Sequence, residues 1–243
     1  MSYQRALSPI VFHRSGPMSC PYLEDRTEQQ LFMELSGPGA QETFEHLSKF
    51  GFRRSHHIVY RPTCRGCTQC VPVRVRVADF EPKRRFRKII NRNSDLTCKD
   101  VGQVATREQY DLFAKYLRCR HADGDMAGMT IRDYSNLVVA SPVDTALLEW
   151  RDQSGRLVAV CITDRTRDGL SAVYSFFDPD QPRRSLGTNI VLSLIELARS
   201  QGRPYVYLGF WVPQSPKMAY KADFTPIECF TPAGWQNRDR LSF

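Results

Sequence analysis

The sequence predicts an α+β fold, and three observations carry that prediction. Apolar runs rich in β-branched residues predict four strands in the C-terminal half, at 146–150, 157–163, 170–177 and 204–210. A helix with one apolar side separates the last two of these strands. The N-terminal half instead mixes shorter strand and helix patterns around a group of cysteines. We therefore expect a smaller cysteine-containing α+β region at 1–140 and a second region at 141–243.

Local patterns place the N-terminal elements in order. After an irregular stretch over 1–26, alternating apolar residues predict a strand over 28–35. Phe44, Leu47 and Phe50 share one face of the next helix, which ends at Gly51. The later patterns predict strands at 52–61 and 71–77 and helices at 83–93, 106–120 and 130–139.

The stretch from Leu170 to Phe210 organises the C-terminal half. Asp178 and Pro179 end its first strand, because proline cannot donate to a β-ladder and aspartate favours turns. The following helix opens at Arg183-Arg-Ser-Leu-Gly-Thr-Asn189 and ends at Gly202. A short helix and a final strand are then predicted at 215–223 and 227–230.

A basic, glycine-containing loop at a helix start can hold a phosphate on backbone N–H groups. Arg183, Arg184 and Gly187 form such a loop in this sequence. Acyltransferases of the GNAT-like fold grip their acyl carrier in this way, so we expect a GNAT-like acyltransferase core here. The alternative is an ordinary βαβ unit with a solvated basic loop.

The amino-acid composition indicates which broad class of protein this chain belongs to. The chain has 243 residues, of which 42% are hydrophobic, and its net charge of +8 favours an acidic partner such as nucleic acid. No apolar run approaches the roughly 18 residues that a membrane span needs, and the first residues do not resemble a signal peptide. Eight cysteines in a chain of this length fit a reducing, cytoplasmic compartment better than a disulfide scaffold.

Three cysteines are crowded into one short segment. Cys64, Cys67 and Cys70 follow the pattern C-x2-C-x2-C between two predicted strands, and Cys20 is a candidate fourth ligand. Four thiolates suit zinc or an iron–sulfur cluster. The alternative is a set of reduced thiols packed in a turn.

The predicted helix at 83–93 is strongly basic. Its cations are Lys83, Arg84, Arg85, Arg87, Lys88 and Arg92, while Phe86, Ile89 and Ile90 form an apolar face. Such a helix can pack one side on the protein and show the other to a phosphate backbone. A solvated helix without a partner is the alternative.

Several ordered motifs resemble one known family over essentially the whole chain. They are Cys20-Pro-Tyr-Leu23, Gly51-Phe-Arg-Arg-Ser55, Tyr60-Arg-Pro-x-Cys64 with the cysteines and Cys70-Val-x-Val-Arg-Val75, Arg120-His121 with Gly128-Met129, Tyr207-Leu-Gly-Phe-Trp-Val212, Lys217-Met-x-Tyr220-Lys221 and Phe224-x-Pro226. Together they resemble the arginyl-tRNA–protein transferase family, most closely its bacterial aspartate/glutamate leucyltransferase branch. Eukaryotic members carry two cysteines near the position of Cys20, where this chain has one.

The resemblance implies a reaction and its partners. The enzyme would move leucine from leucyl-tRNA to the N-terminal amine of proteins that begin with Asp or Glu, marking them for degradation. Aminolysis of an activated ester requires no cofactor, so zinc or an iron–sulfur cluster at the cysteines stays an open alternative. The oligomeric state does not follow from the sequence.

Site roles follow from what this reaction needs. Asp178 is the candidate proton acceptor, and Tyr174 and Tyr207 are candidates to line the same crevice. The candidate tRNA contacts are the five cations over 83–88 together with Arg183, Arg184, Gly187, Lys217, Tyr220 and Lys221. Lys217 and Lys221 are four positions apart in the helix predicted over 215–223, so we expect both ammonium groups to point the same way. Arg118, Arg120 and His121 are the candidates for binding the acceptor's carboxylate. The candidate walls of a leucine pocket are Phe176, Phe210 and Trp211.

Two other functions remain open at this stage. A GNAT-like acetyltransferase that uses acetyl-CoA would fit the C-terminal half but would leave the cysteines and the basic helix without a role. A non-catalytic, metal-stapled RNA-binding protein would leave the acidic turn and the acyltransferase-like half unexplained.

Overall fold

An eight-stranded sheet forms the centre of the protein, whose computed structural model describes residues 11–120 and 128–241. The helices are α1 (Ala40–Ser48), α2 (Arg84–Arg92), α3 (Arg107–Arg120), α4 (Ile131–Val139) and α5 (Leu186–Ser200). The strands are β1 (His13–Arg14), β2 (Met18–Ser19), β3 (Thr27–Glu28), β4 (Gln30–Glu34), β5 (Arg53–Ser55), β6 (Ile58–Pro62), β7 (Val71–Arg76), β8 (Thr97–Asp100), β9 (Thr145–Arg151), β10 (Leu157–Thr166), β11 (Gly169–Phe177), β12 (Tyr205–Trp211), β13 (Ile227–Thr231) and β14 (Gly234–Asn237). The predicted α+β class is confirmed.

The order of the central sheet is β14-β13-β7-β12-β11-β10-β9-β8. Its neighbours pair antiparallel except β11 and β12, which are parallel and joined by α5, because parallel strands need a crossover connection. The strand–helix–strand unit predicted over 170–210 is therefore present. Strand β7, which precedes the predicted boundary, lies between β13 and β12, so both predicted regions contribute strands to one sheet. The division at 140 stays a prediction.

Helices cover both faces of the sheet. On one face, Phe86 of α2 and Ile190 of α5 pack with Val206 and Leu208 of β12. On the other face, Phe113 of α3 and Tyr134 of α4 pack with Val160 of β10. A second sheet, β1-β4-β6-β5, packs with α1 and carries its own small core.

Strands β11 and β12 separate after a short paired stretch. They pair only from Gly169 opposite Tyr205 to Ser171 opposite Tyr207. The register of β12 then shifts against β7 at Gly209, whose φ of +79° lies in the left-handed region that glycine adopts without strain. We call the separated stretches, residues 172–177 of β11 and 208–211 of β12, the fork.

Some local predictions were wrong, each for a tertiary reason. The single strand predicted at 52–61 is the hairpin β5–β6, which turns at His56 with a φ of +52°. The helix predicted over 215–223 is a 3₁₀ turn at Ala219–Asp223 only. Ile90, expected on the buried face of α2, is 41% exposed, because packing covers chiefly Phe86. Over the described ranges, no helix is long and apolar enough to cross a membrane.

Candidate functional site

The end of the basic helix α2 contacts the loop that precedes α5. The five α2-region cations from Lys83 to Lys88 are exposed, while Phe86 is 1% exposed and anchors the helix. Asn93, after α2, donates from Nδ2 to the Arg184 carbonyl oxygen at 2.9 Å, and the Arg92 guanidinium bonds the Arg183 carbonyl. The α2 cations and Arg183 therefore share one surface, which we call the basic face.

Two arginines of this region already have carboxylate partners. Arg184 holds Asp95 through two hydrogen bonds of 2.7 and 2.8 Å, so its guanidinium anchors the loop to the chain before β8. Arg85 bonds Asp223 at 2.6 Å across an exposed surface. Arg183 is exposed and no ion pair is recorded for it over the described ranges, so it is the better candidate of the loop pair for a phosphate.

The start of α5 is open to an incoming acceptor of hydrogen bonds. Ser185 precedes the helix with a φ of +53°, and no side chain caps this end. A Cβ atom at Gly187 would lie 2.9 Å from Cε1 of Phe177, so a larger residue here would displace the Phe177 ring. Backbone N–H groups at such a start attract anions.

Three segments meet at the open end of the fork, namely the start of α5, the end of α3 and the 3₁₀ turn at Ala219–Asp223. Phe177, at the end of β11, lies against Gly187, and its ring centroid is 5.0 Å from that of Tyr116 on α3 and 5.9 Å from the guanidinium carbon of Arg120. Burial raises the pKa of Tyr220 to about 12, with a further contribution from the neighbouring Tyr116. Arg118 is exposed near the end of α3, and His121 lies outside the described residues.

The guanidinium of Arg53, a residue for which the sequence predicted no role, lies in the fork. Arg53 of β5 donates to Oγ of Ser171 at 2.7 Å and to the Ala172 carbonyl, both on β11. A Cβ atom at Gly209 of β12 would lie 3.1 Å from Nε of Arg53, so the side chain sits between the two strands. Burial lowers the pKa of this guanidinium. The motif Gly51-Phe-Arg-Arg-Ser55 contained the signal, since two arginines in a short strand need partners.

Lys221 lies beside this guanidinium and not on the surface. Its Nζ donates to the Phe210 carbonyl oxygen at 2.6 Å, and burial together with the charge of Arg53 lowers its pKa to about 7. Lys217, in contrast, is exposed. The expectation that both ammonium groups point the same way was wrong, because residues 217–221 do not form one α-helix.

The carboxylate of Asp178 is held by hydrogen bonds and ion pairs separate from those of Arg53 and Lys221. Its side chain is 1% exposed and accepts bonds from Lys115 at 2.7 Å, Arg156 at 2.5 Å and Gln181 at 3.0 Å. Burial alone would raise the pKa of this carboxyl, but the hydrogen bonds from Gln181 and Lys115 outweigh it and hold the pKa below its usual range. Its role as a proton acceptor stays a prediction, and these bonds would have to loosen for it.

Replacing Asp178 with asparagine is expected to lower the free energy of unfolding at pH 7 by about 1–3 kcal/mol, because charge-assisted bonds to Lys115 and Arg156 are lost. The folded-state pKa is depressed, so this contribution is present above about pH 4 and disappears as the pH falls through the folded value. Urea unfolding at pH 7 and pH 3 checks both statements. Asp180→Asn is the control, since that carboxylate is 70% exposed and is expected to contribute under about 1 kcal/mol.

The two candidate tyrosines lie on different strands, Tyr174 on β11 beyond its paired stretch and Tyr207 on β12 within it. The Tyr174 hydroxyl is buried without a hydrogen-bond partner in the described residues, beside Phe113 and Tyr116. The Tyr207 hydroxyl donates to Asp168 at 2.9 Å, at the paired end of the strands. The structure therefore does not bring them into one crevice.

The three candidate leucine-pocket residues also separate. Phe176 is fully buried with the α3–α4 side of the core, and Trp211 is buried with the α2–α5 side. Phe210 packs its ring edge-on against Tyr60 at 5.8 Å. Because successive side chains of a strand point to opposite faces, Phe210 and Trp211 cannot line one wall.

The four candidate metal-binding cysteines lie near one another. Burial raises the pKa of the Cys70 thiol to about 12, and Cys20, Cys64 and Cys67 each add to that rise. Among the residues described, however, no three His, Cys, Asp or Glu side chains are arranged to hold a metal ion. The zinc and iron–sulfur alternatives stay predictions.

Comparison with known proteins places the chain in a family. Residues 18–88 match the family model for the N terminus of arginine-tRNA-protein transferase, and residues 108–231 match the model for its C terminus. An aspartate/glutamate leucyltransferase of Paramagnetospirillum magneticum is 48% identical over 94% of this chain and 93% of its own length. One of Gluconacetobacter diazotrophicus is 45% identical over 99% of this chain and 94% of its own length. A solved structure described as L-PGS from Bacillus licheniformis is 14% identical over 70% of this chain and 50% of that chain, with a TM-score of 0.47.

Proposed function

Because this chain belongs to the arginine-tRNA–protein transferase family and is therefore a transferase, we propose that it moves leucine from leucyl-tRNA to proteins that begin with Asp or Glu. The acceptor is the N-terminal amine, and the product is marked for degradation. The observation that carries the proposal is the convergence of α2, the α5 start and the end of α3 at the open end of the fork.

The basic face supports the proposal that the leucyl group is carried by a tRNA. Its exposed cations form a surface suited to a phosphate backbone, and that surface ends at the uncapped start of α5. A tRNA lying along α2 would therefore bring its 3′ end to the fork. An acetyl-CoA enzyme would need only the α5 start and would leave the α2 cations without a ligand.

The reaction requires little from the protein beyond the positioning of its two substrates. The acceptor amine attacks the ester carbonyl carbon, an amide bond forms, and the bond to the ribose oxygen of the tRNA breaks. The amine loses a proton and the released ribose hydroxyl gains one. Holding both substrates in one cleft can supply roughly 7–11 kcal/mol of the barrier, so no nucleophilic side chain is required.

A transfer assay with the full chain tests the proposal. Purified protein is incubated with leucyl-tRNA, with arginyl-tRNA or with acetyl-CoA, each with peptides that begin with Asp, Glu or Ala. Labelled leucine on the Asp and Glu peptides alone is the expected result. Transfer from arginyl-tRNA would assign a different donor. Acetyl transfer, or tRNA binding without any transfer, would overturn the proposal in favour of one of the two other functions.

A further inference from the structure

Two buried cations meet at the fork without a carboxylate partner. Arg53 is 9% exposed and Lys221 is 8% exposed. Within the ranges 11–120 and 128–241, neither side chain forms an ion pair with Asp or Glu. Asp164 acts on Arg53 electrostatically, but its two oxygens already bond Arg54 at 2.6 and 2.7 Å. Neither Arg53 nor Lys221 therefore has a carboxylate partner of its own.

The groups that do bond these cations are neutral. Ser171 and Ala172 accept from Arg53, and the Phe210 carbonyl accepts from Lys221. A neutral oxygen satisfies an N–H group, but it does not offset the cost of burying a charge, and buried charges in proteins are normally paired. An anion from outside the chain would complete this site.

We propose that Arg53 and Lys221 bind the side-chain carboxylate of the acceptor's first residue and so select Asp and Glu. This inference rests on the proposed function, and it names the residues that read the acceptor. A guanidinium can hold a carboxylate through two parallel hydrogen bonds, and Arg53 has more N–H groups than its two recorded bonds use. An amide side chain, as in Asn or Gln, would leave both charges unpaired.

The burial of the two cations favours a carboxylate over a tRNA phosphate. A phosphodiester carries a nucleotide on each side and suits the exposed basic face and the α5 start. A side-chain carboxylate ends its branch and is small enough to approach groups that are almost fully buried. Only a few bonds separate that carboxylate from the N-terminal amine, so a carboxylate held here keeps the amine at the fork. The pKa of Tyr220 is affected by both Tyr116, at the open end of the fork, and Arg53.

A purely structural role is the competing explanation, because Arg53 also joins the small sheet to β11. Two substitutions separate the roles. Lys221→Gln removes a charge and keeps a donor for the Phe210 carbonyl, and Arg53→Lys keeps the charge and loses the planar guanidinium. The measured quantity is kcat/KM for an Asp-initiated peptide divided by that for the matched Asn-initiated peptide. We expect Lys221→Gln to lower this ratio about 30-fold, as expected for an unpaired buried charge, and Arg53→Lys to lower it by a smaller factor.

The control variant is Arg167→Gln, which removes an exposed charge before β11 and should leave the ratio within about threefold. Arg120→Ala removes the competing acceptor-binding candidate taken from the sequence, and we expect it to lower the ratio less than Lys221→Gln does, because Arg120 is exposed. Equal losses for the Asp and Asn peptides in Lys221→Gln would assign a structural role and overturn the inference. A ratio that falls in Arg120→Ala but not in Lys221→Gln would also overturn it.

Binding of the two peptides without tRNA tests the site independently of transfer. Calorimetry on the full chain should show at least about tenfold tighter binding of the Asp peptide than of the Asn peptide, with the difference lost in Lys221→Gln. Carboxylate-dependent binding without leucine transfer would reject the proposed function and keep this inference. Leucine transfer with equal binding of both peptides would keep the function and reject the inference.

Discussion

Replacing Arg54 with methionine is expected to lower the free energy of unfolding by about 3–5 kcal/mol, because it leaves a buried carboxylate without its partner. Arg54 of β5 bonds both oxygens of Asp164 on β10, at 2.6 and 2.7 Å, and their side chains are 1% and 0% exposed. Thr145 of β9 adds a 2.7 Å bond to the same carboxylate. This pair fastens the small sheet to the central sheet, next to the strand position that carries Arg53.

Urea unfolding of the wild type and the variant measures this effect. The double variant Arg54→Met/Asp164→Leu should recover most of the loss, since it removes the unpaired charge as well as the pair. A double variant as unstable as the single one would instead mean that lost packing is the cause. The surface control is Arg107→Met, which breaks an exposed pair with Asp111 on α3 and should cost less than about 1 kcal/mol.

Neutralising part of the basic face is expected to weaken tRNA binding about 10²–10³-fold at 0.1 M salt. The variant changes Arg84, Arg87 and Lys88 to glutamine, which removes three exposed charges while the buried anchor Phe86 is kept. Each phosphate contact releases a counterion, so its loss carries a penalty that depends on salt. The slope of the logarithm of the binding constant against the logarithm of the salt concentration should become shallower by about two to three.

Filter binding or fluorescence titration at several salt concentrations checks both numbers. The matched control changes three exposed arginines outside the basic face to glutamine, namely Arg107 on α3, Arg132 on α4 and Arg167 before β11. It lowers the net charge equally, so an equal loss of affinity would show that overall charge, not the α2 surface, binds the tRNA.

Local sequence patterns were sufficient for the elements that depend on neighbouring residues. The strand, acidic turn, basic loop and helix over 170–200 were predicted within a few residues, because proline, glycine and β-branched runs act on the adjacent backbone. The basic helix was predicted for the same reason, since its charge pattern is continuous in the chain. The resemblance of ordered motifs supplied the family, which the comparisons confirm.

Arg53, Lys217 and Lys221 show where local patterns stop being informative. In the sequence all three are ordinary basic residues, and the spacing of Lys217 and Lys221 predicts that both lie on one surface. Lys217 is exposed, whereas Lys221 is buried by the 3₁₀ turn that packs under β12. Arg53 reaches a strand more than a hundred positions later in the chain.

Local patterns and the order of motifs were enough to predict the α+β class, the order of the strand–helix–strand unit and the family. It took the folded chain to show that β7 lies inside the central sheet, that β11 and β12 part after Ser171 and Tyr207, and that Arg53 lies between them. The physical reason is that a side chain's burial and charge pairing depend on partners distant in sequence. Periodicity reports only which face of its own element a residue shares.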